Sequence, residues 1–179
     1  GISFIAAHPE YFLEHDLSLL PPEFMCRLGE LEPSELVEGM LINVYRLDET
    51  SKSSKARIFT ASNEFVSKVT DENLAEADQA FGRGMEFRYI LQESQLEDEN
   101  RMKVANHFGP SRDEHFRVIP KVPLFCTLID DEAMITFLDK TGKADFSVSF
   151  WSSDPRVLRW CEDLLNYLWD RSKSLSEYR

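Results

Sequence analysis

The sequence predicts an α/β (α+β) domain with a mixed central β-sheet flanked by helices. Helical and strand-like hydrophobic patterns alternate through the first two thirds of the chain, the last third is rich in β-hairpin signals, and a long amphipathic helix lies near the end. Crossover helices join parallel strands, whereas hairpins join antiparallel ones. The two patterns together therefore predict both kinds of pairing in one sheet.

The composition is typical of a globular domain. The 179 residues are 42% apolar and 12% aromatic, which is enough to bury one sizeable core. No run of eighteen apolar residues occurs and no basic region precedes the apolar opening, so we expect a cytoplasmic protein without membrane contact. The cysteines are odd in number and far apart, which predicts no metal site, no cofactor and reduced core thiols at Cys26, Cys126 and Cys161.

The charge is strongly acidic, with a formal net value of -12. A field of this sign repels phosphate backbones, so we do not expect this portion of the chain to bind DNA itself. The acidic residues are spread over several helical or loop-like segments, namely 30–38, 71–78, 93–99 and 130–132. This distribution indicates solvated faces or, alternatively, an acidic docking surface.

Two units are predicted along the chain. Residues 1–32 read as a lead-in segment, because prolines interrupt any long helix before a short helical stretch at 23–31. Residues 33–179 then form the α/β domain itself. Pro33 and Ser34 offer a helix start, and a helix over 35–48 is predicted from the spacing of Leu36, Val37, Met40, Leu41, Val44 and Leu47.

The later elements follow from apolar runs, caps and turns. Ser62 and Asn63 are predicted to cap a short helix through Val66, and Asp130-Asp131 is predicted to form a hairpin turn. Asp154 followed by Pro155 begins the last helix, which has the clearest signal in the chain. Strands are predicted at 56–61, 85–91, 115–119, 124–129, 133–138 and 145–150, and helices at 71–83 and 93–106.

No catalytic motif is present in the sequence. It contains no His-Glu-x-x-His helix, no P-loop, no dinucleotide fingerprint and no nucleophile elbow. The His-x-Lys motif of phospholipase D-type phosphodiesterases is also missing, because the residues two positions after the four histidines are Glu10, Leu17, Gly109 and Arg117. We therefore expect that the protein is not an enzyme.

Polar residues where a buried strand meets a helix are the candidate ligand site. Helix N-termini present free amides to anions, and ligands collect at the carboxyl ends of strands in open α/β sheets. The alternatives are that the polar members cap their helix and that the aromatic members fill the core. The candidates are Thr60, Ser62 and Asn63, with Tyr89 and Gln92 in the same crevice and Phe116 or Trp151 stacking on a ligand.

Two ends of the chain resemble a known family. The segments are His15-Asp16-Leu17, Leu20-Pro21-Pro22-Glu23-Phe24 and Arg27-Leu28-Gly29-Glu30-Leu31, then Phe137-Leu138-Asp139, Asp154, Arg159-Trp160 and Leu164-Leu165 with Tyr167. They are similar to the middle domain of archaeal methanogenesis-regulatory proteins. The resemblance implies an archaeal source and an N-terminal winged-helix DNA-binding domain ahead of Gly1. It also implies that residues 1–32 lie on the linker side of that missing domain and that residues 33–179 form a ligand-sensing, regulatory domain.

Three functions are consistent with the sequence. The first is a sensor that binds an unknown small-molecule effector and acts within a homodimeric transcription regulator. The second is a protein-interaction module without a pocket, which receives a signalling partner. The third is a degenerate phospholipase D-like phosphodiesterase, which the missing nucleophile disfavours.

Overall fold

A computed structural model describes residues 2–64, 69–97, 99–108 and 114–178. The described part contains one sheet in the order β2-β8-β7-β6-β3-β4-β5-β9, with β1 added to β7. The β3–β4 and β4–β5 pairs are parallel and the other pairs antiparallel, so the predicted mixed sheet is confirmed. The strands are β1 (His15–Asp16), β2 (Glu35–Glu38), β3 (Arg57–Ser62), β4 (Glu86–Gln92), β5 (Phe116–Ile119), β6 (Leu124–Ile129), β7 (Glu132–Asp139), β8 (Val148–Ser152) and β9 (Lys173–Ser174).

Helices cover both faces of this sheet. They are α1 (Ile2–Ala7), α2 (Pro9–Glu14), α3 (Pro22–Cys26), α4 (Met40–Lys52), α5 (Asp71–Gly82), α6 (Glu99–Phe108) and α7 (Pro155–Asp170). Short 3-10 turns occur at Leu28–Leu31, Glu93–Glu97 and Leu175–Tyr178. None of the helices in the described ranges is long and apolar enough to cross a membrane.

The closing helix α7 forms as its sequence predicts. The Asp154 carboxylate accepts a hydrogen bond from the Arg156 amide at 2.9 Å, and Pro155 occupies the first turn, where its missing N–H costs nothing. One apolar stripe then packs on the sheet through Val157, Trp160, Cys161, Leu164, Leu165 and Leu168. This stripe anchors the largest core cluster of the domain.

Strand alternation separates two cores. In β3, Phe59 and Ala61 belong to the cluster under α7, whereas Thr60 points to the opposite face, which α4, α5 and α6 cover. We call these the α7 face and the α4 face. The lead-in residues pack on the α7 face, and the division between residues 1–32 and 33–179 stays a prediction. The buried residues of the lead-in segment are Phe4, Tyr11, Leu20, Phe24, Leu28 and Leu31.

The predicted helix over residues 35–48 is wrong in its first turn. Glu35–Glu38 forms β2, which pairs antiparallel with β8 at the edge of the sheet. Gly39 turns the chain with φ +117°, a conformation that disfavours any side chain, and α4 begins only at Met40. The backbone of residues 35–38 bonds to a strand distant in sequence, which local periodicity does not reveal.

Two further expectations, on the cysteines and on a short helix after β3, are compared with the structure here. Cys126 and Cys161 are buried as predicted, but Cys26 is exposed because it ends α3 on the side away from the core. Ser62 is the last residue of β3, and Asn63 lies in a bend. The rest of the short helix predicted there falls in 65–68, outside the described residues.

A polar contact ties the lead-in segment to the sheet. The buried His15 ring lies 2.6 Å from the Tyr11 carbonyl oxygen through Nδ1 and 2.8 Å from Asp145 Oδ2 through Nε2. Burial tends to raise the pKa of Asp145 and is the largest influence, but hydrogen bonds from Ser147 and His15 together outweigh it and lower that pKa.

Replacing Asp145 with Asn is expected to lower the free energy of unfolding at pH 7 by about 1–2 kcal/mol. A carboxyl with a lowered folded-state pKa stabilises the fold above its unfolded pKa, and this contribution disappears as the pH falls through the folded pKa. The variant should therefore lose less stability than the parent between roughly pH 5 and pH 3 in urea unfolding followed by circular dichroism. Asp131→Asn, at an exposed hairpin residue, is the control, and equal acid profiles for all three proteins would contradict the assignment.

Candidate functional site

A cleft of about 480 Å³ lies on the α4 face, between α4 and α5. Its floor consists of alternate residues of three adjacent strands: Ile58 and Thr60 of β3, Phe87 and Tyr89 of β4, and Phe125 and Thr127 of β6. One wall comes from α4 and the loop after it, with Leu47, Asp48, Ser51, Lys52 and Ser54. The other wall comes from α5 and its end, with Asn73, Glu76, Ala77, Gln79, Ala80 and Arg83.

Hydroxyl groups cross the floor in register. Thr60 pairs with Tyr89 on one side and with Thr127 on the other, and the two threonine Oγ1 atoms are 2.7 Å apart. Both threonines are buried, so this hydrogen bond satisfies groups that would otherwise be costly to desolvate. Phe87 and Phe125 lie beside this row. The floor therefore combines apolar rings with a few fixed polar groups.

Tyr89 provides a protonated hydroxyl at neutral pH. Burial raises the pKa of Tyr89 to about 12, and a hydrogen bond with the Ser62 side chain opposes that shift. A neutral phenol both donates and accepts hydrogen bonds. It gives the floor a polar group without a net charge.

The rim of the cleft carries both signs of charge. Lys52 Nζ lies 2.9 Å from Asp48 Oδ2 on α4, and this hydrogen bond raises the pKa of Lys52. On the opposite wall, α5 contributes Glu76 in its middle and Arg83 at its end. Since the floor is uncharged, the charged groups can select only the parts of a ligand near the opening.

A second, smaller cavity lies on the other side of α5. It measures about 130 Å³ and shares Asn73, Ala77, Phe87 and Tyr89 with the first. The remaining lining is apolar: Val69, Leu74, Leu91, Val104, Phe108 and Phe116. Helix α5 therefore has unfilled space on both flanks.

The structure brings some of the predicted site residues together. Thr60 and Tyr89 lie in the cleft, Ser62 hydrogen-bonds to Tyr89, and Phe116 lines the smaller cavity. The cleft lies over the middle of β3 and the first half of β4, however, rather than beyond the carboxyl ends of these strands.

The other three predicted residues lie elsewhere. Asn63 Nδ2 donates to the Gly142 carbonyl oxygen at 2.7 Å, which ties the end of β3 to the turn after β7. Gln92 Oε1 accepts from the Val122 amide at 3.0 Å. Trp151 packs in the core beneath α4 and donates from Nε1 to Asn43 Oδ1 at 2.9 Å.

Sequence reasoning missed both walls of the cleft. The small residues Ala77 and Ala80, three positions apart in a predicted helix, were the available signal for a helix that leaves space against the sheet. The last two turns of α4 had no such signal, because the displaced start of the helix changes which residues face the sheet.

The fold and the cleft define a class: an α/β domain with a ligand-sized cleft on one face of its sheet. Within the described ranges, no group of three His, Cys, Asp or Glu side chains is placed to hold a metal ion. The sequence also lacks the His-x-Lys nucleophile of phospholipase D-type enzymes.

Solved structures share this fold at low sequence identity. TrmBL2, an archaeal chromatin protein whose structure shows a novel mode of DNA binding, superposes with a TM-score of 0.60 at 17% identity over 86% of this chain and 60% of that chain. NucT from Helicobacter pylori superposes with a TM-score of 0.56 at 10% identity over 79% of this chain and 98% of that chain. Nuc from Salmonella typhimurium, a phospholipase D family member, superposes with a TM-score of 0.52 at 11% identity over 79% of this chain and 97% of that chain. These similarities establish the fold alone, and this chain spans only part of TrmBL2.

The family is established by sequence. Residues 45–171 match the model of the middle domain of the methanogenesis regulatory protein FilR1, and the chain belongs to that family. The resemblance inferred from the two ends of the sequence is thereby confirmed as a regulator middle domain. Membership in a family of regulators favours a regulatory role over an enzymatic one. No curated protein sequence matches the chain.

Proposed function

We propose that this chain is the effector-sensing domain of an archaeal transcription regulator and that a small molecule binds in the cleft between α4 and α5. The observation that carries the proposal is the cleft itself, about 480 Å³ in volume, with an uncharged floor that contains Thr60, Thr127 and Tyr89. Pockets that bind small molecules have volumes of roughly 300–1,000 Å³ and combine apolar walls with a few polar groups.

The packing of α5 suggests how binding is transmitted. The helix lies between two cavities, so a ligand that fills the larger one adds contacts on a flank that is otherwise incompletely packed. A ligand shifts a conformational equilibrium only by its difference in affinity for the two states. We infer that the liganded state fixes α5 against the sheet and that the free state leaves its position less constrained.

The rest of the regulator completes the proposal. A DNA-binding domain of the winged-helix type would precede this portion, which itself carries a net charge of -12 and is poorly suited to contact phosphates. A homodimer would match the two-fold symmetry of a DNA operator. The ligand-induced change in α5 would then alter how two such DNA-binding domains are placed.

Ligand-dependent stabilisation tests this proposal directly. Thermal unfolding is measured against organic acids, nucleotides, sugar phosphates and coenzymes, and a ligand at one hundred times its Kd should add about 2.7 kcal/mol. Ala77→Leu places two methyl groups and a methine in the cleft and should abolish this gain. Ala75→Leu, at an exposed position of the same helix, is the matched control and should retain it.

The outcomes separate the alternatives. A stabilisation by one chemical class that disappears in Ala77→Leu but persists in Ala75→Leu supports the sensor. Equal stabilisation of both variants would indicate that the ligand binds at another site. If no compound stabilises the protein, the interaction module becomes the better hypothesis, and hydrolysis of a phosphodiester by the purified protein would revive the enzymatic one.

A further inference from the structure

The first two turns of α4 expose four apolar side chains. Met40, Leu41, Ile42 and Tyr45 are 56%, 84%, 58% and 68% exposed. We call these four residues the α4 patch. The side of the helix that faces the sheet is formed instead by Asn43, which is fully buried, and by Val44 and Leu47, which pack on the core beneath α4. None of the four patch residues belongs to a core cluster of the described part of the chain.

We propose that the α4 patch is the surface through which two copies of this chain associate. This inference rests on the proposed function only for the expectation of a homodimer. It adds which surface would form the dimer contact. The patch lies beside β2, the outermost strand at this end of the sheet among the described residues.

Charge favours a second copy as the occupant. Each chain carries a net charge of -12, so two copies repel each other over most of their surfaces. The α4 patch has no charged member, and a two-fold interface brings the same patch of each copy together. A neutral apolar surface is complementary to itself, whereas an acidic surface is not. A nucleic acid would find no positive charge within the patch.

The size of the patch is close to what a dimer requires. Four side chains with these exposures present on the order of 500 Å² per copy. Stable interfaces bury roughly 800 Å² per partner, with an apolar centre and a polar rim.

The α4 patch and one wall of the cleft lie on the same helix. The patch occupies the start of α4, and the cleft wall occupies its end through Leu47, Asp48, Ser51 and Lys52. The helix has 13 residues and is therefore about 20 Å long. A ligand that displaces the end of α4 would shift the dimer contact on the same rigid element.

The oligomeric state of the ligand-free chain tests the surface. Sedimentation velocity over a range of protein concentrations is expected to show a monomer–dimer equilibrium that strengthens with salt, because salt screens the repulsion between acidic copies. Leu41→Glu places a charge at the centre of the patch and should weaken association by about tenfold or more. Leu13→Glu alters a 76% exposed leucine of α2 and should leave association unchanged.

Circular dichroism confirms that each variant is folded, and Leu41→Ser repeats the test without an added charge. A parent chain that stays monomeric at all concentrations, or a Leu41→Glu variant that dimerises like the parent, overturns the proposal. Equal dissociation of the Leu13→Glu variant would also overturn it, since the α4 patch would then have no special role. No ligand is present in these measurements, so their result is independent of whether the cleft binds an effector.

Discussion

Replacing Asn43 with leucine is expected to lower the free energy of unfolding by about 4 kcal/mol. The Asn43 side chain is fully buried beneath α4. Its Nδ2 donates to the carbonyl oxygens of Val37 and Phe146, both at 2.9 Å, and its Oδ1 accepts from Trp151 Nε1 at 2.9 Å. The substitution removes these three hydrogen bonds, and each buried group that it leaves unsatisfied costs about 1–3 kcal/mol.

Urea unfolding followed by circular dichroism measures this loss. Asn106→Leu is the matched control because Asn106 is exposed on α6, and it should change stability by less than about 0.5 kcal/mol. Asn43→Asp adds a second readout: the introduced carboxylate would face two carbonyl oxygens, so the variant should become less stable as the pH rises through the raised pKa of that carboxyl. A small loss for Asn43→Leu would mean that water reaches the three partners.

Replacing Trp160 with alanine is also expected to lower the free energy of unfolding by about 4 kcal/mol. Trp160 is fully buried where α7 crosses the sheet, and the Phe24 ring packs on its edge with the centroids 5.8 Å apart. Its Nε1 also donates to the Phe24 carbonyl oxygen at 3.3 Å. The variant loses apolar burial and leaves a cavity between the lead-in segment and α7.

The consequence extends beyond the local cavity. Since Trp160 connects α3 with the core on the α7 face, residues 1–32 should become more sensitive to proteolysis in the variant at urea concentrations where the parent stays folded. Arg159→Ala, at the neighbouring exposed position of α7, is the control for the loss of a large side chain. Retained stability and unchanged proteolysis in Trp160→Ala would show that the lead-in segment is held by other contacts.

Local signals were sufficient for the elements whose hydrogen bonds are themselves local. Helix α7 begins at a side-chain cap and a proline, and β6 and β7 meet through a tight turn at Asp130, which has φ 52°. Helix α5 ends before Gly84, which has φ +71°. In each case the sequence neighbours that determine the conformation lie within a few residues.

The candidate site was predictable only in part. Thr60 and Tyr89 were chosen as polar residues of two buried strands, and the parallel pairing of β3 and β4 places them side by side on the same face. Asn63 and Gln92 have the same polarity, but their side chains bond to the Gly142 carbonyl and the Val122 amide. Polarity near a strand end does not distinguish a ligand contact from a contact within the protein.

The sequence by itself determined the mixed sheet, the closing helix, the acidic charge and the absence of catalytic motifs, because each of these depends on composition or on neighbours along the chain. The tertiary structure decided that Glu35–Glu38 is a strand, that Asn43 is buried, and that α4 and α5 leave a cleft between them. Those features depend on hydrogen bonds and packing between segments far apart in sequence, such as β2 with β8. The exposed α4 patch follows from the same long-range pairing, since the strand displaces the start of the helix to Met40.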